Sequence, residues 1–135
     1  MSDSPLERVR HLCLALPSAT ERLSHGAPTW FVGARPSFVM YHDDHHGDGR
    51  LALWCAAPGG AQGALVEADP VRFFVPAYVG HRGWVGLRLD RDPDWSEVGE
   101  VVEDAYRAVA SRRLVAELDA RGGAVRPRDE PPKHP

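Results

Sequence analysis

The chain has few cysteines and no long hydrophobic run. Its two cysteines, Cys13 and Cys55, are too few for a disulfide framework or a four-cysteine metal site, and both stand in apolar patterns typical of the core. No apolar stretch approaches the roughly 20 residues that a membrane-spanning helix needs, and Met1–Pro17 is unlike a signal peptide. These absences predict a soluble, cytoplasmic protein without a membrane partner.

The chain also lacks a strong excess of either charge. Its 16 basic and 19 acidic residues give a formal net charge of -3, which argues against indiscriminate polyanion binding because such binding needs concentrated positive charge. Its 135 residues, 43% of them apolar, are typical of one soluble globular domain. We predict a single domain over residues 1–121 and a proline-rich, disordered tail over residues 122–135.

Helix signals lie near both ends of the domain. Ser4–Glu7 is a capping-box pattern, after which apolar residues recur at three- and four-residue steps until Pro17. Asp94–Glu97 repeats the pattern before a second amphipathic helix, which is predicted to continue through Leu118. A helix is therefore expected at each end of the domain.

Between these helices, short β-type runs alternate with Gly, Pro and Asp. Their connections are too short for parallel crossovers, so the strands are predicted to be antiparallel. A short helical turn is predicted from Asp69 through Phe73. The predicted strands are Thr29–Val32, Ser37–His42, Arg50–Ala56, Gly63–Ala68 and Trp84–Leu89. The fold class is α+β: a single two-layer domain with an antiparallel sheet of about five strands and the N- and C-terminal helices on one sheet face.

Alternation along the strands predicts which side chains point away from the helices. The residues predicted to face the helices are Phe38, Met40, Leu51, Leu53, Cys55, Val85, Leu87 and Leu89. Those predicted to face solvent include Val39, Tyr41, Ala52, Trp54, Trp84, Gly86 and Arg88. The sheet would then carry an exposed aromatic platform. The alternative is that a loop, the tail or a second subunit covers these rings.

The segment before the last strand adds polar and aromatic groups to this platform. Tyr78, His81 and Arg82 lie in a glycine-punctuated loop that leads into Trp84. Arginine and aromatic side chains together stack on planar ligands and pair with anions. The alternative is that Tyr78 and His81 only seal the sheet edge while Arg82 extends into water. The predicted binding residues are Tyr41, Trp54, Tyr78, His81, Arg82, Trp84 and Arg88.

Three other patterns favour no catalytic or metal function. His42–Gly49 is rich in His and Asp and offers possible metal ligands, but its position between two strands favours a solvated hairpin loop. Pro58–Gly63 has three glycines without the lysine of a phosphate-binding loop, so a turn is predicted. Cys55 is expected to be inert, and no partner is identified for His81 as a general base. We predict a non-enzymatic protein with no metal and no cofactor.

The order of several short motifs resembles the small bacterial MmcQ/YjbR family over residues 5 to about 118. These motifs are Leu14–Pro17, Ala19–Glu21, Phe31–Phe38, Glu67–Pro70, Val75–Tyr78 and Gly83–Trp84. The resemblance implies a curved antiparallel sheet packed on helices, similar to frataxin-like folds and to a double-wing DNA-binding domain. It implies no catalytic set. Tyr78 and Trp84 match its Tyr…Trp feature, with Arg82 as the intervening basic residue.

Two functional hypotheses remain open. The first is a non-enzymatic DNA-binding module, in which Tyr41, Trp54 and Trp84 stack on bases while Arg82 and Arg88 meet phosphates or base edges. The alternative is a protein that binds and sequesters a planar small molecule, as the occurrence of family members beside natural-product genes implies. The expected partner is accordingly DNA or a planar small molecule, and the expected assembly is a monomer or weak homodimer.

Overall fold

A computed structural model describes residues 4–122, which form four α-helices and six β-strands. The helices are α1 (Pro5–Leu14), α2 (Ala61–Ala68), α3 (Trp95–Val109) and α4 (Arg112–Ala120). The strands are β1 (Ala19–Ser24), β2 (Ala27–Val32), β3 (Ser37–Asp43), β4 (Leu51–Cys55), β5 (Phe73–Phe74) and β6 (Val85–Arg88). The predicted tail, apart from Gly122, lies outside the described residues. Within residues 4–122, each helix is too short or too polar to cross a membrane.

The six strands form one curved, open antiparallel sheet with the order β1-β2-β3-β4-β6-β5. Every neighbouring pair of strands is antiparallel, as the short connections predict. The α+β fold class and the terminal helices are thus confirmed, with one more strand than the five expected from sequence. Both edge strands are missed: β1, whose residues are mostly polar, and β5, which has only two residues.

One face of the sheet packs against α1 and α3. In β4 and β6, Cys55 pairs with Val85, and Leu53 pairs with Leu87, so these apolar side chains share one face. The Cys13 thiol of α1 lies close enough to interact electrostatically with Cys55, and burial raises the pKa of both thiols. Both cysteines are therefore inert core residues, as their apolar surroundings predicted.

A β-bulge in β3 changes which side chains face the helices. Trp30 pairs with Val39 but Phe31 pairs with Ser37, which leaves Phe38 as an extra residue. Phe38 packs edge-on against a tyrosine of α3, as expected for an inward residue. Val39 is fully buried opposite Cys55, so its predicted outward position is wrong. Simple alternation fails here because the bulge adds one residue to the count.

Three local assignments are also corrected. Gly63–Ala68, predicted as a strand, lies within α2, because a short apolar run fits a helix and a strand equally well. The predicted turn does begin at Asp69, whose carboxylate accepts a hydrogen bond from the Arg72 N–H, but it does not continue as a helix, because Phe73 already belongs to the short strand β5. The predicted C-terminal helix divides at Ala110, whose ψ of 154° is extended. Ser111 then caps α4 through its side chain.

Tyr106→Phe is expected to lower the free energy of unfolding by about 1 kcal/mol. The buried Tyr106 hydroxyl donates a 2.7 Å hydrogen bond to the Pro17 carbonyl oxygen, which ties α3 to the segment between α1 and β1. The substitution leaves that acceptor buried without its donor, while the ring contact with Phe38 is retained. Urea unfolding measures the loss. Tyr78→Phe, at an exposed tyrosine, is the matched control and should leave stability unchanged; equal stability of both variants would contradict the prediction.

Candidate ligand-binding site

The sheet face opposite the Leu53 and Cys55 side chains carries a transverse row of side chains. Met40 in β3 pairs with Trp54 in β4, which pairs with Gly86 in β6, which pairs with Phe74 in β5. The prediction that Met40 faces the helices is therefore wrong. The Phe74 ring occupies the space above Gly86, where a Cβ atom would overlap it. The absence of a side chain at residue 86 lets Phe74 lie directly on the sheet.

Histidine rings from the end of β3 and from the β3–β4 connection cover Trp54. The His42 ring centroid lies 3.9 Å from that of Trp54, and the His45 centroid lies 4.6 Å from it. His45 also contacts the ring of His46, at 4.1 Å, and that of Tyr78, at 5.9 Å. Under this cover Trp54 is only 4% exposed. We call His42, His45, His46, Trp54 and Tyr78 the aromatic cluster.

Burial keeps the cluster's inner histidines uncharged at neutral pH. The pKa of His42 is lowered from 6.5 to about 4, chiefly because burial disfavours the charged ring and then because His45 and His46 would add like charge. Asp48 acts in the opposite direction on this pKa. The pKa of His45 is lowered too, again with burial as the main cause. An uncharged imidazole packs on an indole and presents both a donor and an acceptor.

A pocket of about 850 Å³ opens beside the aromatic cluster. It lies between the β1–β2 turn, the end of β3, Trp54 of β4 and the loop before β6. Its lining residues are Ser24, His25, Gly26, Ala27, Pro28, Met40, Tyr41, His42, Asp43, His45, His46, Trp54, Tyr78 and Val79. The wall is thus mainly apolar and aromatic, with a few polar groups, as in pockets that bind small organic molecules.

Two buried nitrogens in the pocket-lining residues have no hydrogen-bond partner within residues 4–122. They are His42 Nε2 and Trp54 Nε1. Buried polar atoms are nearly always paired in folded proteins, so each unpaired one calls for an explanation. Two such atoms on adjacent rings beside one pocket indicate that this part of the molecule is organised for something other than stability.

The pocket rim carries unusual backbone conformations. His25, His46 and Tyr78 have positive φ angles of 51°, 50° and 63°. Positive φ is uncommon for residues other than glycine, and most of all for a bulky residue such as tyrosine. Strained backbone of this kind concentrates at ligand clamps and active sites. All three residues line the same pocket.

The predicted binding residues divide into two groups. The pocket brings together Tyr41, Trp54 and Tyr78. It does not include the exposed His81 and Arg82, the buried Trp84 or the half-buried Arg88. A role in binding for all seven stays a prediction.

The predicted exposure of the platform is wrong. Trp54 and Trp84 are only 4% and 3% exposed, and the backbone oxygen of Trp84 accepts a 2.6 Å hydrogen bond from Gln62. Tyr41 pairs with Leu53, so it does not share a face with Trp54. The Arg88 guanidinium is held by both carboxylate oxygens of Asp90. The alternative that a loop covers the rings describes Trp54 correctly.

Sequence reasoning missed much of the pocket. Alternation predicts the wrong face for Met40, and the His- and Asp-rich pattern of His42–Gly49 predicts a solvated loop where the structure has a pocket wall. The loop does connect two antiparallel strands, as predicted. Within residues 4–122, no three His, Cys, Asp or Glu side chains are arranged to hold a metal ion. The sequence signal that could have revealed the pocket wall is the group of three histidines at and after the end of β3, followed by an outward tryptophan on the next strand.

The fold and pocket define a small α+β protein with a ligand-sized cavity on the sheet face that carries Trp54. A family model described as YjbR matches residues 14–108. The chain belongs to the YjbR family. It is also similar to a solved structure, the Deinococcus radiodurans protein DR2400 with its DUF419 domain: TM-score 0.69, 18% identity, 96% of this chain and 95% of that chain covered. At this identity the likeness shows the fold alone. Among curated proteins, none matches the chain significantly.

Proposed function

We propose that this protein is a non-enzymatic binder of a small, ring-containing molecule, which it holds in the pocket beside Trp54. The observation that carries the proposal is the pocket itself, about 850 Å³ in volume and walled by Met40, Trp54 and the uncharged His42 ring. Drug-sized ligands occupy pockets of roughly 300 to 1,000 Å³ with mostly apolar walls and a few oriented polar groups.

The unpaired nitrogens supply the polar part of this recognition. Trp54 Nε1 is a donor only, and neutral His42 has one donor and one acceptor nitrogen. A planar ligand with acceptor atoms on its edge offers partners to both rings after a small rotation of either side chain. Strain at His25, His46 and Tyr78 supports the same interpretation, because preformed ligand clamps retain backbone conformations that stability alone disfavours.

Ser24→Trp is expected to weaken binding of phenylnaphthylamine, a neutral fluorescent probe, by about tenfold. Ser24 lines the pocket, and an indole there would occupy space that the probe needs. Fluorescence enhancement on titration measures the dissociation constant. Leu23→Trp is the matched control, because Leu23 is the preceding residue of β1, is 70% exposed and does not line the pocket. Equal binding by both variants, or no binding to the unmodified protein, would overturn the proposal.

DNA binding is the second candidate. Exposed Tyr78, His81 and Arg82 on the loop before β6 support it, with the Arg82 guanidinium 5.2 Å from the Trp84 ring. Because Trp54 and Trp84 are buried, they do not form the exposed stacking platform that the sequence predicts for DNA bases. The discriminating experiment is a mobility shift with duplex DNA at about 50 mM salt, where phosphate contacts are strong. If the protein shifts DNA and Arg82→Ala abolishes the shift, DNA binding becomes the favoured function. If the unmodified protein produces no shift, the small-molecule proposal is favoured.

A further inference from the structure

A second pocket adjoins the first. Its volume is about 410 Å³, and four members of the aromatic cluster line both pockets: His45, His46, Trp54 and Tyr78. These shared rings place the two pockets side by side. The second pocket extends from them toward β5, where Phe74 forms part of its lining.

The two pockets differ in charge. The residues lining the larger pocket include no lysine or arginine, and its inner histidine His42 is neutral at pH 7. The smaller pocket contains Arg50, whose guanidinium lies over the Phe74 ring at 4.1 Å from the centroid. Of the two pockets, only the smaller one therefore offers an anionic group a guanidinium partner, while a ring system is accommodated in the larger one.

The Arg50 guanidinium has unused hydrogen-bonding capacity. Among residues 4–122, no side chain or backbone oxygen accepts a hydrogen bond from it, and it forms no ion pair. Asp48 also lines this pocket, but its Oδ1 accepts a 2.9 Å hydrogen bond from the Arg50 backbone N–H. The nearby Arg88 is already held by Asp90. Arg50 thus presents five N–H donors in a fork that matches a carboxylate, sulfonate or phosphate.

We infer that the ligand is an aromatic anion, with its ring in the larger pocket and its anionic group at Arg50 in the smaller one. This inference rests on the proposed function and adds the chemical class of the ligand. Stacking on Phe74 orients the guanidinium and keeps its edge available, since a planar cation that lies on a ring directs its N–H groups sideways.

A matched pair of probes tests the inference. Anilinonaphthalene sulfonate and phenylnaphthylamine share their aromatic rings, and only the first carries an anionic group. Arg50→Gln should weaken binding of the sulfonate about fivefold and leave the neutral probe within about twofold of its original affinity. Added salt should weaken sulfonate binding in the unmodified protein more than in the variant. Arg22→Gln is the control, because Arg22 also stacks on a phenylalanine, Phe31, but lines neither pocket.

The outcomes separate this inference from the proposed function. A selective loss of the sulfonate supports an anion site at Arg50. An equal loss of both probes shows that Arg50 acts only by packing on Phe74 and overturns the inference, as does an unchanged affinity for both. In either case, binding of the neutral probe by the unmodified protein leaves the proposed function standing. If the unmodified protein binds neither probe, the proposed function itself is wrong.

Discussion

Gly86→Val is expected to lower the free energy of unfolding by about 3 kcal/mol, the upper part of the range for overpacked sites. Gly86 is buried in β6, and a Cβ at this position would overlap three carbon atoms of the Phe74 ring. Valine adds two further methyl groups in the same direction. The ring has to leave the sheet, which separates β5 from β6 and removes the Phe74 surface on which Arg50 lies.

Thermal and urea unfolding of the variant measure this loss, with an expected decrease of roughly 10 °C in midpoint temperature. The second substitution Phe74→Ala, made in the Gly86→Val background, vacates the space that valine needs. The double variant should therefore be more stable than the sum of the two single effects predicts.

Gly99→Ala is the control for glycine replacement as such. Gly99 lies inside α3, and a Cβ there would meet Leu12 at an ordinary contact distance of 3.6 Å. Alanine at this position should increase stability by about 0.5 to 1 kcal/mol, because it favours the helix. Wild-type stability of Gly86→Val, or strictly additive effects with Phe74→Ala, would contradict the overlap as its cause.

The parts of the fold that follow from local chemistry were predictable from sequence. The Ser4 hydroxyl accepts a hydrogen bond from the Glu7 N–H, and the Asp94 carboxylate accepts from the Ser96 and Glu97 N–H groups. Such caps act within one helical turn, so the sequence pattern contains all the partners. The antiparallel pairing of β1 to β4 also follows locally, because short connections allow little else, whereas β4 and β6 pair although α2 and β5 lie between them in the chain.

The parts that failed depend on partners distant in sequence. Whether Met40 faces the helices is decided by the bulge at Phe38, and that bulge is defined by pairing with β2. Whether Trp54 is exposed is decided by His42 at the end of β3 and by His45 in the β3–β4 connection, whose rings pack on the indole. Alternation counts residues within one strand and includes neither effect. Trp54 and Tyr78 line the pocket, whereas alternation predicts an exposed platform in which Trp54 is open to solvent.

Acidification from about pH 7 to about pH 4 is expected to destabilise the protein through His42. The pKa of this residue is lowered from 6.5 to about 4 by burial and by the neighbouring histidines. Between these values the unfolded chain binds a proton at residue 42 that the folded chain excludes. Stability is therefore complete above about pH 6.5, falls as the pH is lowered through this window, and loses nothing more from His42 below about pH 4.

The full difference in pKa corresponds to about 3 kcal/mol. His42 is only half-buried, so solvent screening reduces the expected loss to about 1.5 kcal/mol. Other groups also respond to acid: the pKa of Glu21 is lowered by its hydrogen bond with Arg10, and that of Asp90 by Arg88. Their contributions are lost only as the pH falls below the ordinary pKa values of these groups, 4.5 for Glu21 and 3.8 for Asp90.

Urea unfolding of the wild type and of His42→Gln at a series of pH values isolates the contribution of His42. The variant keeps Glu21 and Asp90, so their effects cancel in the difference between the two curves. That difference should change by about 1.5 kcal/mol across the window, with the wild type losing the more stability on acidification.

His81→Gln is the matched control. His81 is exposed and makes no ring contact with the aromatic cluster, so this variant should follow the wild type at every pH. Because the ring packing that excludes the proton from His42 also forms the pocket wall, phenylnaphthylamine binding should weaken over the same pH window. Two results together would show that His42 is not held neutral against Trp54: parallel stability curves for the wild type and His42→Gln, and probe binding that does not change between neutral pH and about pH 4.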